Sequence, residues 1–240
     1  MTIDERPVAL VTGGARRLGR HLCELLAMRG YRVVIGYRTS GTEAERLGLE
    51  ISERGGAARA AHVDVAVLHS VEALFGTIDE NEGRFDLLIN NVGNYNPQLV
   101  TALEPAHWDA TIQSNLSGAF YCCHHALKRL KRGGQIINIG MSGLHGCGAD
   151  TTGLDYHVSK SGLLVVTRSL AKTYAAQGIR VNMVSPGMLT NSIDFPDDVG
   201  AYVPMGRGGE LDDVGQAVRY LLEASYVTGV NIDVAGGYRL

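Results

Sequence analysis

Residues 7–19 read Pro-Val-Ala-Leu-Val-Thr-Gly-Gly-Ala-Arg-Arg-Leu-Gly, an apolar run that breaks into glycines and then basic residues. Val8 to Val11 offers no polar position to turn toward water, the pattern of a strand covered on both faces. Apolar residues at helical spacing follow from about Leu18 to Arg29, and a second β-branched run spans Tyr31 to Gly36. Strand, glycine-rich turn, helix and strand make a βαβ unit, whose strands run parallel because the helix carries the chain back across the sheet.

The alternation continues outward from this unit. Helical spacing from about Thr42 to Arg54 leads to a strand at Ala57 to Val63, and from Val67 to Asn81 to a strand at Phe85 to Asn90. A long helix is expected from about Glu104 to Lys131, stopped by Gly133 and Gly134 before the strand Gln135 to Ile139. After a glycine-rich loop comes a helix from about Tyr156 to Gln177, then a strand from Ile179 to Val184 that runs into Pro186-Gly187. A looser segment from about Met188 to Gly209 precedes a helix at Leu211 to Glu223 and a last strand at Asn231 to Val234. With no internal repeat or linker, residues 1–240 are expected to form one α/β domain, a seven-stranded parallel doubly wound sheet with helices on both faces.

Composition narrows the function. Acidic residues (25) outnumber basic ones (22) and no Lys/Arg block stands out, so no nucleic-acid partner is expected. No apolar stretch is long enough for a bilayer, and Asp4 and Glu5 precede any apolar run, which reads as a cytoplasmic chain with no membrane partner. Cys23, Cys122, Cys123 and Cys147 form no CxxC pair, which fits a reducing compartment. No metal site is expected: Cys122, Cys123, His124 and His125 are consecutive and point in different directions on a helix, while His145, Cys147 and Asp150 match no zinc spacing.

In such a sheet ligands bind beyond the carboxyl ends of the strands. The turn Thr12 to Gly19 suits a dinucleotide, since Gly13 and Gly19 allow close backbone approach and the next helix offers its positive N-terminus to a pyrophosphate. An NAD site wants an acid after the second strand to accept the ribose hydroxyls. Here that strand ends Gly36-Tyr37-Arg38-Thr39-Ser40, with no acid before Glu43. Arg38, Ser40 and either Arg16 or Arg17 supply donors for a 2′-phosphate instead, which points to NADP(H).

Tyr156 and Lys160 stand four residues apart, on one helical face. A phenol titrates near ~10, too high for efficient proton transfer at neutrality, and a cation about 4 Å away in an effective dielectric of about 20 favours the phenolate by on the order of 4 kcal/mol. The pair is therefore expected to act as a tuned acid, with Lys160 lowering the pKa of Tyr156.

Taken in order, Thr12-Gly-Gly-Ala-Arg-Arg-Leu-Gly19, Asp64, Asn90-Asn-Val-Gly93, Asn115, Tyr156 with Lys160, and Pro186-Gly187 resemble the short-chain dehydrogenase/reductase family over essentially the whole chain. The resemblance implies a Rossmann fold and hydride transfer between a nicotinamide cofactor and a carbonyl or alcohol carbon. It makes Tyr156 the proton donor, has Lys160 hold the nicotinamide ribose, and gives Asn115 a water in a proton relay. Gly13, Arg16, Arg17, Leu18 and Gly19 would face the phosphates, Asp64 and Val65 the adenine, Asn91, Val92 and Gly93 the adenine ribose, and Pro186-Gly187 the carboxamide. Dimers or tetramers through the two long helices are implied as well.

The chain departs from the common family pattern twice. Arg17 replaces the middle glycine of the first loop, and with Tyr37-Arg38-Thr39-Ser40 it resembles the NADPH-using pteridine reductases. Strand alignment puts Met141 where the family has its carbonyl-orienting Ser, while Ser142 lies one position later. Ser142 is taken as the orienting hydroxyl, the loop through Gly143 to Gly148 adjusting to admit it. The general pattern is that of a 3-oxoacyl-acyl-carrier-protein reductase acting on a small carbonyl or alcohol substrate, with 188–209 as substrate loop. The alternatives are a pteridine reductase or a weakly active NADP(H)-binding sensor or scaffold.

Overall fold

The strands β1 (Val8–Val11), β2 (Arg32–Tyr37), β3 (Ala57–His62), β4 (Leu87–Asn90), β5 (Gln135–Ile139), β6 (Arg180–Pro186) and β7 (Asn231–Val234) form one sheet in the order β3-β2-β1-β4-β5-β6-β7. Every neighbouring pair is parallel, so the expected Rossmann architecture is present. The structure is a computed structural model that describes residues 5–146, 148–192 and 195–239. Cys147 and two positions of the 188–209 segment lie outside the described residues.

Successive strand residues face opposite layers, as the pleat requires. Ala9 and Val11 pack with Leu22 and Leu26 of α1 (Arg17–Met28), Leu47 and Ile51 of α2 (Gly41–Glu53), and Val214, Val218 and Leu221 of α7 (Leu211–Glu223). Val8 and Leu10 turn the other way, onto Val71, Phe75 and Ile78 of α3 (Leu68–Glu82) and Cys122, Cys123 and Ala126 of α5 (Gly118–Leu127). The uninterrupted apolar runs follow from this double coverage. Each fully buried Leu, Ile or Phe contributes about 1.5–3 kcal/mol of transfer free energy, so the two layers hold the sheet together.

The long helix expected over 104–131 runs unbroken over 105–127, with a wider turn inside it. It is α4 (Pro105–Ile112), a π-helical turn (Gln113–Ser117) and α5, which ends at Leu127. The π-turn coincides with Asn115, whose buried amide bonds neighbours outside the helix, and side-chain periodicity carries no mark of such a turn. The helix expected from Tyr156 begins slightly earlier, as α6 (Leu154–Tyr174). Among the described residues no helix is long and apolar enough to cross a membrane.

β1 lies between β2 and β4, so the chain leaves it in opposite directions on its two sides, and the crevice of a doubly wound sheet opens at that reversal. The loops after β1, β4, β5 and β6 gather there.

Candidate active site

Backbone geometry shapes the first loop. Gly13 has φ +62°, and Arg17 adopts φ +49°, a left-handed conformation unusual for a side chain of that size. A Cβ on Gly19 would lie 2.1 Å from the Gly13 carbonyl oxygen and 2.7 Å from Asn91 Nδ2, so only glycine fits there. Asn91 Nδ2 donates to the carbonyls of Thr12 and Gly13 at 3.1 Å each, and Thr12 Oγ1 accepts from the amides of Asn91 (3.0 Å) and Val92 (3.3 Å). The β1 and β4 loops are thereby laced together. No side chain caps the start of α1 and its first turn holds no acid, which leaves those amides and their positive potential to a ligand. Such a cradle fits the phosphates of a dinucleotide.

The three basic residues differ in their partners. Arg16 is ion-paired with Glu43, and Arg38 lies 3.9 Å from Asp64, with its side chain 62% exposed. Arg17 makes no ion pair or hydrogen bond to the described residues and is exposed. Ser40 precedes α2 without capping it, so its hydroxyl is not engaged there. Asp64 accepts from the amide of Ala66 at 3.0 Å, and Val65 is buried against Gly118, where a Cβ would meet its carbonyl oxygen at 2.7 Å.

At the other end of the crevice, Tyr156 and Lys160 share the first turns of α6. A Cβ on Gly93 would lie 3.3 Å from Lys160 Nζ and 3.7 Å from the Tyr156 hydroxyl, so the β4 loop comes down directly on the pair. Asn115 is fully buried; its Oδ1 accepts from the Asn94 amide (2.7 Å), and its Nδ2 donates to the Asn94 carbonyl (2.9 Å) and Ser159 Oγ (3.3 Å). Asn115 thus ties α6 to the β4 loop beside Tyr156. Asn90, in contrast, points into the core, where Nδ2 donates to Asn138 Oδ1 at 2.9 Å.

The expected electrostatic pairing of Tyr156 and Lys160 is not what the structure has. Lys160 Nζ donates to the Ile139 carbonyl at 2.8 Å and stands 5.6 Å from the centre of the Tyr156 ring. Burial dominates both groups: the phenol is pushed up to about 12, with the phenol of Tyr95 adding to the rise and Arg239 pulling against it. Burial lowers the Lys160 ammonium to about 8. A charge estimate from helical spacing alone omits this desolvation.

In the β5 loop, Met141 packs on the apolar cluster of Ala119, Leu144, Leu163, Leu164 and Met183. Ser142 is 2% exposed and its amide donates to the Pro186 carbonyl at 3.0 Å, binding it to the end of β6. Gly187 donates to Val234 at 2.9 Å, which fixes the Pro186-Gly187 corner against β7. Asn94, Ser159 and Tyr95 belong to this constellation, and no motif in the sequence points to them. Ser159, three residues from Tyr156 on a helix, was the one with a readable signal. Tyr95 stacks edge-on against Tyr156 with ring centres 4.9 Å apart.

A parallel sheet with this turn at its reversal and a Tyr/Lys pair across the crevice defines an oxidoreductase of the Rossmann class. Comparison with known proteins narrows the class. A sequence model of the family described as enoyl-(acyl carrier protein) reductase matches residues 13–239. An uncharacterized oxidoreductase, YgfF, of Escherichia coli is 36% identical over 96% of this chain and 99% of its own. A 3-oxoacyl-[acyl-carrier-protein] reductase of Synechocystis is 33% identical over 99% of this chain and 98% of its own. A blue fluorescent protein from a metagenomic library, solved in complex with NADPH, superposes with a TM-score of 0.91 at 30% identity, covering 98% of each chain. The protein belongs to the short-chain dehydrogenase/reductase family.

Proposed function

We propose that the protein is an NADPH-dependent reductase of a carbonyl substrate, of the 3-oxoacyl-thioester or ketone reductase type, with Tyr156 as proton donor. The observation that carries this reading is the closing of the Gly93 backbone on the Tyr156 hydroxyl and Lys160 Nζ, opposite an uncapped helix start. The NADPH held by the metagenomic neighbour and the 3-oxoacyl reductase name of the Synechocystis relative support the cofactor and substrate class.

When bound, the cofactor supplies a hydride to the substrate carbon. Gly13, Leu18, Gly19 and the α1 amides would hold its pyrophosphate, and Arg17, Arg38 and Ser40, with Arg16, would hold the 2′-phosphate. Asp64 and Val65 would border the adenine, Asn91, Val92 and Gly93 the adenine ribose, and Pro186-Gly187 the carboxamide. The Tyr156 hydroxyl gives its proton to the substrate oxygen as charge develops there, and Ser142 donates a hydrogen bond to the same oxygen. Lys160, swinging from Ile139 to the nicotinamide ribose, would bring its charge toward the phenol. Asn115 holds the β4 loop against α6, and a relay water held by its side chain would have to displace one of the bonds it makes with Asn94, Ser114 and Ser159.

Self-association extends the reading. Phe120 and Val165 are 45% and 65% exposed on α5 and α6, flanking a groove lined by Leu116, Tyr121, Gly162 and Val166, and a second copy of the chain would cover them.

The test is NADPH oxidation against 3-oxoacyl thioesters, a dihydropteridine, simple ketones and quinones, with NADH alongside and Tyr156→Phe as control. Turnover of the thioester or ketone that Tyr156→Phe abolishes, with NADPH binding retained, supports the reading. Turnover of the dihydropteridine alone would move the protein to the pteridine reductase type, and NADPH binding without any turnover would favour a sensor. Turnover retained in Tyr156→Phe would remove that residue as the acid.

A further inference from the structure

The penultimate residue lies at the catalytic end of the sheet, where no sequence motif points. Arg239 has φ +60° and, with Arg17, is one of two non-glycine residues among those described in the left-handed region. Such conformations persist where surrounding contacts over-determine them. The β5–α6 loop supplies those contacts at two points. A Cβ on Gly143 would meet Arg239 Cβ at 2.7 Å and its carbonyl oxygen at 3.1 Å, so the residue after Ser142 lies directly against it. The Arg239 guanidinium stands 3.5 Å from Asp150 Oδ2. One turn back, the Gly236 carbonyl accepts from the Met205 amide at 3.1 Å, joining the substrate segment to the same C-terminal turn.

Asp150 connects this turn to the proton donor. Its Oδ1 accepts from the amides of Thr152 (3.0 Å) and Gly153 (2.9 Å), which shape the entry to α6. Its Oδ2 faces His157 Nδ1 at 3.6 Å, and that nitrogen is buried without a hydrogen-bond partner. Gly143 and Asp150 lie toward the two ends of the β5–α6 loop (140–153), with Ser142 just before the first and Tyr156 six positions after the second, in the first turn of α6. The Gly143 amide is held from the sheet side by Asp233 Oδ2 at 3.1 Å.

We propose that Arg239 is a positioning residue for Tyr156: by contacting Gly143 and pairing with Asp150 it clamps both ends of the β5–α6 loop and keeps Ser142 and Tyr156 in register. This rests on Tyr156 as proton donor. The clamp also places a cation within the field of the phenol, opposing the burial that raises it. The other titratable groups against Tyr156 are Lys160 and, from the β4 loop, Tyr95, while its chain neighbours Asp155 and His157 are paired with His107 and Asp150.

The experiment uses the full-length protein with Arg239→Gln, Arg239→Lys, Asp150→Asn and the Gln/Asn double variant. Arg239→Gln is expected to lower kcat about tenfold with little change in KM or NADPH binding, with Arg239→Lys recovering most of the loss. The limb of the pH profile set by Tyr156 moves to higher pH in Arg239→Gln, because the phenolate loses a nearby cation. Asp150→Asn reproduces the loss should Arg239→Gln fold poorly, and the double variant is no worse than either single change, as one shared clamp requires. Amide hydrogen exchange of peptides spanning 142–153 in cofactor-free protein, expected to rise in Arg239→Gln, reads the clamp without any substrate. An unchanged kcat, a rise in KM alone or unchanged exchange over 142–153 would each overturn the proposal. A wild-type protein inactive on every carbonyl would instead overturn the functional reading, leaving hydrogen exchange to judge the clamp.

Discussion

The ammonium of Lys160 is anchored on the carbonyl oxygen of Ile139, 2.8 Å away at the last residue of β5, and not on the hydroxyl of Tyr156. A buried cation with one neutral partner is costly, and its pKa is lowered from 10.5 to about 8. Between those values the unfolded chain binds more protons than the folded one, so stability rises with pH across that window and the penalty is full below it. The shift corresponds to on the order of 3 kcal/mol.

Lys160→Met is accordingly expected to stabilise the cofactor-free protein at pH 7 by about 1–3 kcal/mol, although Ile139 loses its donor. The gain shrinks as pH approaches 10, and turnover is lost. Urea denaturation at both pH values checks this; a variant less stable than wild type at pH 7 would refute it.

Gly19→Ala tests the first loop. Its methyl group would sit 2.1 Å from the Gly13 oxygen, a contact relieved only by moving the backbone. Overpacking of this kind costs about 1–3 kcal/mol or more, and the pyrophosphate cradle distorts with it. NADPH binding, followed by cofactor fluorescence, is expected to fall at least about tenfold, on the order of 1.4 kcal/mol. Unchanged affinity would contradict the close approach of the two loops.

On the proposed reading, cofactor choice would rest on Arg17 and Arg38, exposed side chains of which Arg38 has only Asp64 at 3.9 Å and Arg17 no ion pair among the described residues. Arg38→Ala and Arg17→Ala are each expected to weaken NADPH about 10-fold to 100-fold, the scale of charge-assisted hydrogen bonds, while NADH changes little. Parallel titrations decide it, and equal losses for both cofactors would remove the 2′-phosphate assignment.

Ser142→Ala is expected to lower kcat by at least about tenfold, because a donor to the developing oxyanion is removed. Met141→Leu conserves volume in the cluster with Leu163 and Leu164 and is expected to leave kcat within about twofold. Steady-state kinetics of the two variants separate the roles; the reverse ranking would assign the site to Met141.

Much of this was readable from residue pattern alone. The strands Gln135–Ile139 and Asn231–Val234 and the helix Leu211–Glu223 fall at their expected limits, because β-branched runs, glycine stops and amphipathic spacing agree there. The π-turn at Asn115 was invisible, since one displaced hydrogen bond leaves no compositional trace. The surroundings of Met141 and Ser142 became visible only through packing, which sets Met141 on an apolar cluster and bonds the Ser142 amide to Pro186. The Tyr156 environment failed for a different reason: desolvation and the approach of Tyr95 and Arg239 are tertiary facts, and Arg239 lies 83 positions away in the chain.

The π-turn makes the helical path from α4 to α5 sensitive to length in a way its sequence does not advertise. The wide turn winds in one more residue than an α-helical turn does, so deleting one residue within 113–117 would restore an ordinary ladder of helical hydrogen bonds and leave the two flanks facing as they do now. Cys122, Cys123 and Ala126 would stay against the sheet, but Asn115 would lose the widened turn that sets its amide against Asn94 and Ser159. A chain shortened by one residue here should therefore still fold while the tie between α6 and the β4 loop is lost, so related chains that keep Asn115 in this role should keep the extra residue with it.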